Sequence, residues 1–167
     1  MKRLPFIGLM CAVMLLAACK QKEEPKPDPQ PDPQPEVESI ASDKSAPTWA
    51  APSEYDMTAS MTAIIRVDLS KTYSAEQIQA GNYQLSENDV LAAFSGETCL
   101  GVAEQIDGLF YLYITSPSDD TQVKFRYYSA TLKNNFVSRE SVPFSNDSSL
   151  GTVSSPYTPE FEVEKAN

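Results

Sequence analysis

Residues 89–102 read DVLAAFSGETCLGV: an apolar run from Val90 to Phe94 meets the polar break Ser95-Gly96-Glu97-Thr98, and a second apolar run starts at Cys99. Short β-branched and aliphatic runs on either side of a glycine-bearing polar break describe two strands joined by a tight turn, with Gly96 supplying the positive φ that such turns need. This hairpin sets the grammar of the rest of the chain, which is short strand, polar turn, short strand.

Upstream, Met61, Ala63, Ile65 and Val67 alternate with Thr62, Ile64, Arg66 and Asp68, giving a strand with one core face. Ser74 followed three residues later by Gln77, with Gly81 and Asn82 beyond, predicts a single capped helical turn over SAEQIQA. Downstream, Asp107-Gly108 marks a turn into LFYLYIT, residues 109–115, and SPSDD at 116–120 turns the chain again. Val123, Phe125 and Tyr127 alternate with Lys124, Arg126 and Tyr128, so the next strand has an apolar and a basic-aromatic face. Residues 136–144 predict a further strand, placed at an edge by Pro143, and Phe161 with Val163 fits a last one. Short strands at close spacing without a long helix predict an all-β fold: an antiparallel immunoglobulin-like β-sandwich of about 6–8 short strands.

Before the sandwich the composition changes twice. Lys2 and Arg3 precede an almost wholly apolar run to Leu16 that is too short to span a bilayer, and Ala17-Ala18-Cys19 closes it. The pattern resembles a bacterial lipoprotein leader with its lipobox, so residues 1–18 are expected to be removed and Cys19 to carry the lipid anchor. Two or more acyl chains hold a protein stably at a membrane without a transmembrane helix. Glu23-Glu24 behind the cysteine resembles the surface-export signal of Bacteroidetes lipoproteins. The expected location is therefore the outer membrane with the domain at the cell surface, facing the periplasm being the alternative. Residues 25–36 read PKPDPQPDPQPE, and alternating proline with acidic spacing predicts a disordered, extended tether. At about 3.1 Å per residue, Pro25 to Pro35 reaches on the order of 34 Å. Residues 19–47 are read as lipidated cysteine and linker, and residues 48–164 as the β-sandwich domain.

Composition excludes several classes of activity. The chain has 167 residues, 13 basic and 23 acidic, and a net charge of −10, a field that repels nucleic acid. It has no histidine, which removes the usual general base and the commonest transition-metal ligand. With Cys11 in the leader and Cys19 lipidated, Cys99 has no intrachain disulfide partner and reads as a small buried hydrophobe. The acidic pairs Glu87/Asp89 and Asp119/Asp120 and the Asn146/Asp147 pair match no calcium-loop spacing and read as turn chemistry. No carboxylate pair stands out for glycoside hydrolysis. The expectation is a protein that is not an enzyme, with no cofactor and no metal.

The succession Trp49, Tyr55, Met61-Thr62, then Asn88 to Phe94, then Glu97 to Ala103, then Val123 to Ala130, resembles a β-sandwich module common in secreted and surface proteins of Bacteroidetes. In that module an acidic residue precedes a Leu-Ala-Ala-Phe strand, a hairpin leads to Cys-Arg-Gly, and a later strand reads Phe-Arg-Tyr-Asp-Ala. This chain departs from it at Leu100 and at Ser129. The resemblance implies a fold and a location and carries no catalytic residues.

The remaining signal is aromatic. Tyr111 and Tyr113 share a strand face opposite Phe110, Leu112 and Ile114, and with Arg126 and Tyr128 nearby they make a candidate binding platform for sugar rings or a protein surface. Ordinary amphipathic packing of these tyrosines is the competing reading. Two functions follow as expectations: a non-catalytic binding or adhesion module for glycan or protein, or a structural or accessory lipoprotein of an envelope assembly.

Overall fold

The computed structural model describes residues 37–53, 59–116, 118 and 120–165. Cys19, the leader, the Pro-rich repeat, Tyr55 and Asp119 lie outside the described residues. The strands are β1 (Ala59–Ile65), β2 (Val90–Ser95), β3 (Thr98–Val102), β4 (Glu104–Ile106), β5 (Leu109–Ser116), β6 (Gln122–Ser129), β7 (Asn134–Ser138), β8 (Val142–Pro143), β9 (Ser149–Leu150) and β10 (Phe161–Val163). One sheet has the order β4, β5, β1, β9, and the other β10, β7, β6, β2, β3 with β8 beside the start of β6. All pairings between strands are antiparallel except that of β1 with β9. The molecule is thus an all-β sandwich, with more strands than the sequence implies because β8 and β9 are two-residue pieces.

Alternation decides which side chains the two layers share. Met61, Ala63 and Ile65 of β1 and Phe110, Leu112 and Ile114 of β5 are buried against Leu91 and Ala93 of β2, Val123, Phe125 and Tyr127 of β6 and Phe136 of β7. Tyr127 sits at the centre of an aromatic cluster, with ring centroids 6.0 Å from Phe110, 5.9 Å from Phe136 and 5.7 Å from Phe161. Burying such rings supplies the dominant favourable term of a fold without disulfides.

The DVLAAFSGETCLGV stretch forms β2 and β3. Ser95 pairs with Thr98 around a two-residue turn in which Gly96 has φ +58°, the sign that the first position of a type II′ turn requires. The register slips between Ala93 and Phe94, so Leu100 is the extra residue of a β-bulge and turns into the core. At Gly101 the chain passes so close to β5 that a Cβ would overlap the Tyr113 carbonyl oxygen, and only glycine fits. The chain changes sheets at Ala103, whose N–H donates to the Leu91 carbonyl at 2.8 Å.

The capped turn forms as its sequence predicts. In α1 (Ala75–Ala80) the Gln77 N–H donates to Ser74 Oγ at 3.3 Å and the Ser74 N–H to Gln77 Oε1 at 3.0 Å. The strand expected over 136–144 divides in two. At Ser138, the last residue of β7, the Phe125 N–H finds the side-chain Oγ at 3.0 Å in place of a ladder carbonyl. Pro143 ends up on the two-residue β8, and β7 is an interior strand because β10 pairs along its other side.

The packed unit also takes in residues that the sequence reading assigns to the linker. Ile40 is buried in the core cluster, the Ser42 and Lys44 N–H groups donate to the Leu132 and Lys133 carbonyls at 2.8 and 2.9 Å, and Asn134 Nδ2 donates to the Ile40 carbonyl at 2.9 Å. A lone isoleucine between polar neighbours is enough to dock the segment when the β6–β7 turn offers it free carbonyls.

Candidate functional site

The four aromatic-platform residues separate onto the two outer faces of the sandwich. Tyr111 and Tyr113 alternate with the core residues Phe110, Leu112 and Ile114 and so point outward from the four-stranded sheet. Arg126 and Tyr128 alternate with Phe125 and Tyr127 and point outward from the six-stranded sheet. The expected single platform does not form, because the two strands belong to different layers.

On the six-stranded face the segment before β1 covers what the alternation would expose. Tyr128 is buried, its hydroxyl donating to the Lys44 carbonyl at 3.2 Å. Trp49 packs edge-on against Phe94 with centroids 5.4 Å apart, and Ala92 and Phe94 are buried although they face away from the core. Arg126 lies with its guanidinium 4.4 Å from the Phe94 ring centroid, 2.8 Å from Glu97 and 3.4 Å from Glu164. Hydrogen bonding to Arg126 holds the Glu97 carboxyl below the usual carboxylate range. Arg126 and Tyr128 are therefore fasteners of the β2–β3 turn and of the preceding segment.

On the four-stranded face the side chains remain open. Tyr113 is 61% exposed, Tyr111 and Ile64 are half-buried, and Ile106 at the end of β4 is exposed. Register places Tyr111 between Glu104 and Ile64 and Tyr113 beside Thr62, so the aromatic rings lie in neighbouring rows of one face. The rings thus present apolar carbon to solvent with Thr62 and Glu104 as their polar neighbours across the ladder.

Asp89 is a buried carboxylate with every near partner inside the protein. Oδ1 accepts from the Ala130 N–H at 2.7 Å, and Oδ2 accepts from the Tyr127 hydroxyl at 2.6 Å and the Ser86 N–H at 3.0 Å. Because the Tyr127 proton goes to Asp89, the Tyr83 hydroxyl, 3.2 Å from Tyr127 Oη, donates in turn. Burial pushes Tyr83 up to about 12 and Tyr127 higher still. This carboxylate fastens the start of β2 to the end of β6 and engages both of its oxygens within the protein. Asn146 Oδ1 likewise accepts the Ser60 N–H at 2.9 Å, and no group of three or more Cys, Asp or Glu set to hold a metal occurs among the described residues. Cys99 is half-buried, and burial pushes its thiol up, away from thiolate chemistry.

Two features escape sequence reasoning. The covering role of Trp49 has no local signal, since it depends on where the segment crosses the sheet. A cleft between the 3-10 turn Leu69–Lys71 and α1, walled by Tyr73 and Tyr83, brings together residues that no motif connects. No protein-family model, curated protein or solved structure matches this chain.

Proposed function

We propose that the chain is a lipoprotein anchored through Cys19 to the outer membrane, displayed at the cell surface, and acting as a non-catalytic recognition module that binds glycan on the Tyr111/Tyr113 face. The observation that carries this reading is Tyr113, a large aromatic side chain 61% exposed on the outer face of the four-stranded sheet, with Tyr111 on the same strand face. Exposed aromatic surface of this kind is expensive to leave in water and stacks well on sugar rings. The lipobox pattern and the Pro-rich stretch behind it support display of the module away from a membrane.

The competing reading is an accessory lipoprotein of an envelope assembly, docked through a partner chain. Exposed Ile106 and Leu85 favour it, but the edge strands of the four-stranded sheet, β4 and β9, have three and two residues and offer little to strand addition. A glycan-array and host-protein screen of the chain from residue 37 onward, with and without calcium, separates the two. Recognition predicts a specific glycan hit that Tyr113→Ala abolishes while stability stays within about 0.5 kcal/mol, as befits an exposed site. A blank array from folded protein would sink this reading, and crosslinking on cells to a protein partner would establish the other.

A further inference from the structure

The cleft beside α1 has a composition unlike the rest of the surface. It is a solvent-open groove of about 600 Å³, lined by Tyr73, Tyr83, Ile78, Gln79, Asn82 and two serines among its residues, with no charged side chain, in a chain that is 22% charged. A volume of this size suits one small ligand. No charged side chain lines the groove and the Asp68 carboxylate stands behind Ser70, whose hydroxyl donates to it at 2.6 Å, so an anion is disfavoured, and the hydroxyl and carboxamide rim leaves polar groups that a purely apolar ligand would strand.

Both tyrosines are locked so that ring carbon is what they present to the cleft. Tyr73 Oη accepts the Val163 N–H at 2.7 Å, and its ring packs edge-on against Phe136 with centroids 6.1 Å apart. Tyr83 Oη is engaged with Tyr127 Oη at 3.2 Å, and through it with Asp89. The carboxamides of Gln79 and Asn82, by contrast, are exposed at the rim and make no side-chain hydrogen bond among the described residues, so their donors and acceptors face water. Asn82 stands at φ +52° just past the C-cap Gly81, a left-handed position that glycine occupies most readily. At that position asparagine sets a free amide at the cleft.

We propose that this cleft binds a single neutral sugar unit, its ring C–H groups against Tyr73 and Tyr83 and its hydroxyls paired with the carboxamides of Gln79 and Asn82. Preorganised ring walls and uncommitted amides supply the two kinds of contact that an uncharged polyhydroxyl ring requires and that neither an ion nor a lipid does. The site is built from other residues than the Tyr111/Tyr113 face and stands whether or not that face binds glycan.

Saturation-transfer NMR on the full chain in a sugar-free detergent, with cellobiose, maltose, lactose and glucuronate as probes, tests it. At least one neutral disaccharide should receive saturation at its ring C–H protons and glucuronate should not. The double variant Gln79→Ala/Asn82→Gly keeps the helix and suits the left-handed backbone, so it should fold. It should weaken the neutral ligand about tenfold, as expected for two lost hydrogen bonds. Tyr113→Ala should leave that affinity unchanged. The proposal is overturned if no neutral disaccharide receives saturation from folded protein, if glucuronate binds equally well, or if the double variant binds as the natural chain does. Loss on Tyr113→Ala alone would also overturn it, while supporting the sheet face as the sugar site.

Discussion

Asp89 shows how one buried charge is made tolerable and what it does for its neighbours. An unpaired carboxylate in this core would be prohibitive, but three donors at 2.6 to 3.0 Å compensate its desolvation and hold it in place. Burial makes Tyr127 and Tyr83 poor acids, and the Asp89 charge nearby adds to it. The stability consequence has a definite sign. A group whose folded pKa is raised contributes fully below its unfolded value and loses that contribution as pH rises toward the folded value. For Tyr83 the window runs from about 10, the unfolded tyrosine value, to about 12. Stability to urea should therefore fall above pH 10 by on the order of 1.4 kcal/mol per pH unit for each such tyrosine. Phenolate absorbance should show Tyr83 titrating near 12 in the folded protein, well above the exposed tyrosines, and Tyr127 only as the protein unfolds. Tyr83→Phe removes one of the two and should reduce that slope; an unaltered alkaline profile in the variant would mean that Tyr83 is not part of the buried chain of hydroxyls.

Among the elements, the segment before β1 carries the most consequence for its length. It has no regular structure, yet it seats Ile40 in the core, pairs with the β6–β7 turn, caps Tyr128 and lays Trp49 on Phe94. Side-chain packing and four or so borrowed hydrogen bonds replace the ladder of a strand. A chain starting at residue 37 should accordingly be more stable than one starting at residue 48. The difference should be at least about 2 kcal/mol, the scale of burying one isoleucine. The shorter chain keeps Trp49 on Phe94 but should expose Tyr128, which loses its cover at Lys44, and the core surface that Ile40 closes, which a rise in binding of an apolar dye would register. Equal urea midpoints for the two chains would show that the segment rests on the sheet without stabilising it. Gly101 makes the complementary point for regular structure, since β3 can lean on the β5 backbone only where a side chain is missing.

Across the whole molecule, what could be read from the sequence is what depends on near neighbours in the chain. The Gly96 turn, the Ser74/Gln77 capping box, the core faces of β1, β5 and β6 and the sandwich itself follow from periodicity of two and from turn residues. The separation of Tyr111 and Tyr113 from Arg126 and Tyr128 does not, because which layer a strand joins is fixed by long-range pairing such as β1 with β5 and β2 with β6. The cleft walled by Tyr73 and Tyr83 is hidden for the same reason. Charge, in contrast, is legible from sequence and acts at the scale of the molecule. Residues 1–36 hold 5 acidic and 5 basic side chains, so the 18 acidic and 8 basic ones from residue 37 onward place the entire net charge of −10 on residues 37–167. Against this stand four ion pairs, all involving Arg126 or Arg139 among the described residues. Exposed pairs contribute little, and self-repulsion of a large net charge opposes compaction, so screening should help this fold more than it harms it. Raising sodium chloride from about 0.01 to 0.15 M shortens the Debye length from about 30 to 8 Å and should raise the Tm. A Tm that falls over that range would mean that the Arg126 and Arg139 pairs outweigh the repulsion, and Arg126→Met with Arg139→Met should then abolish that fall.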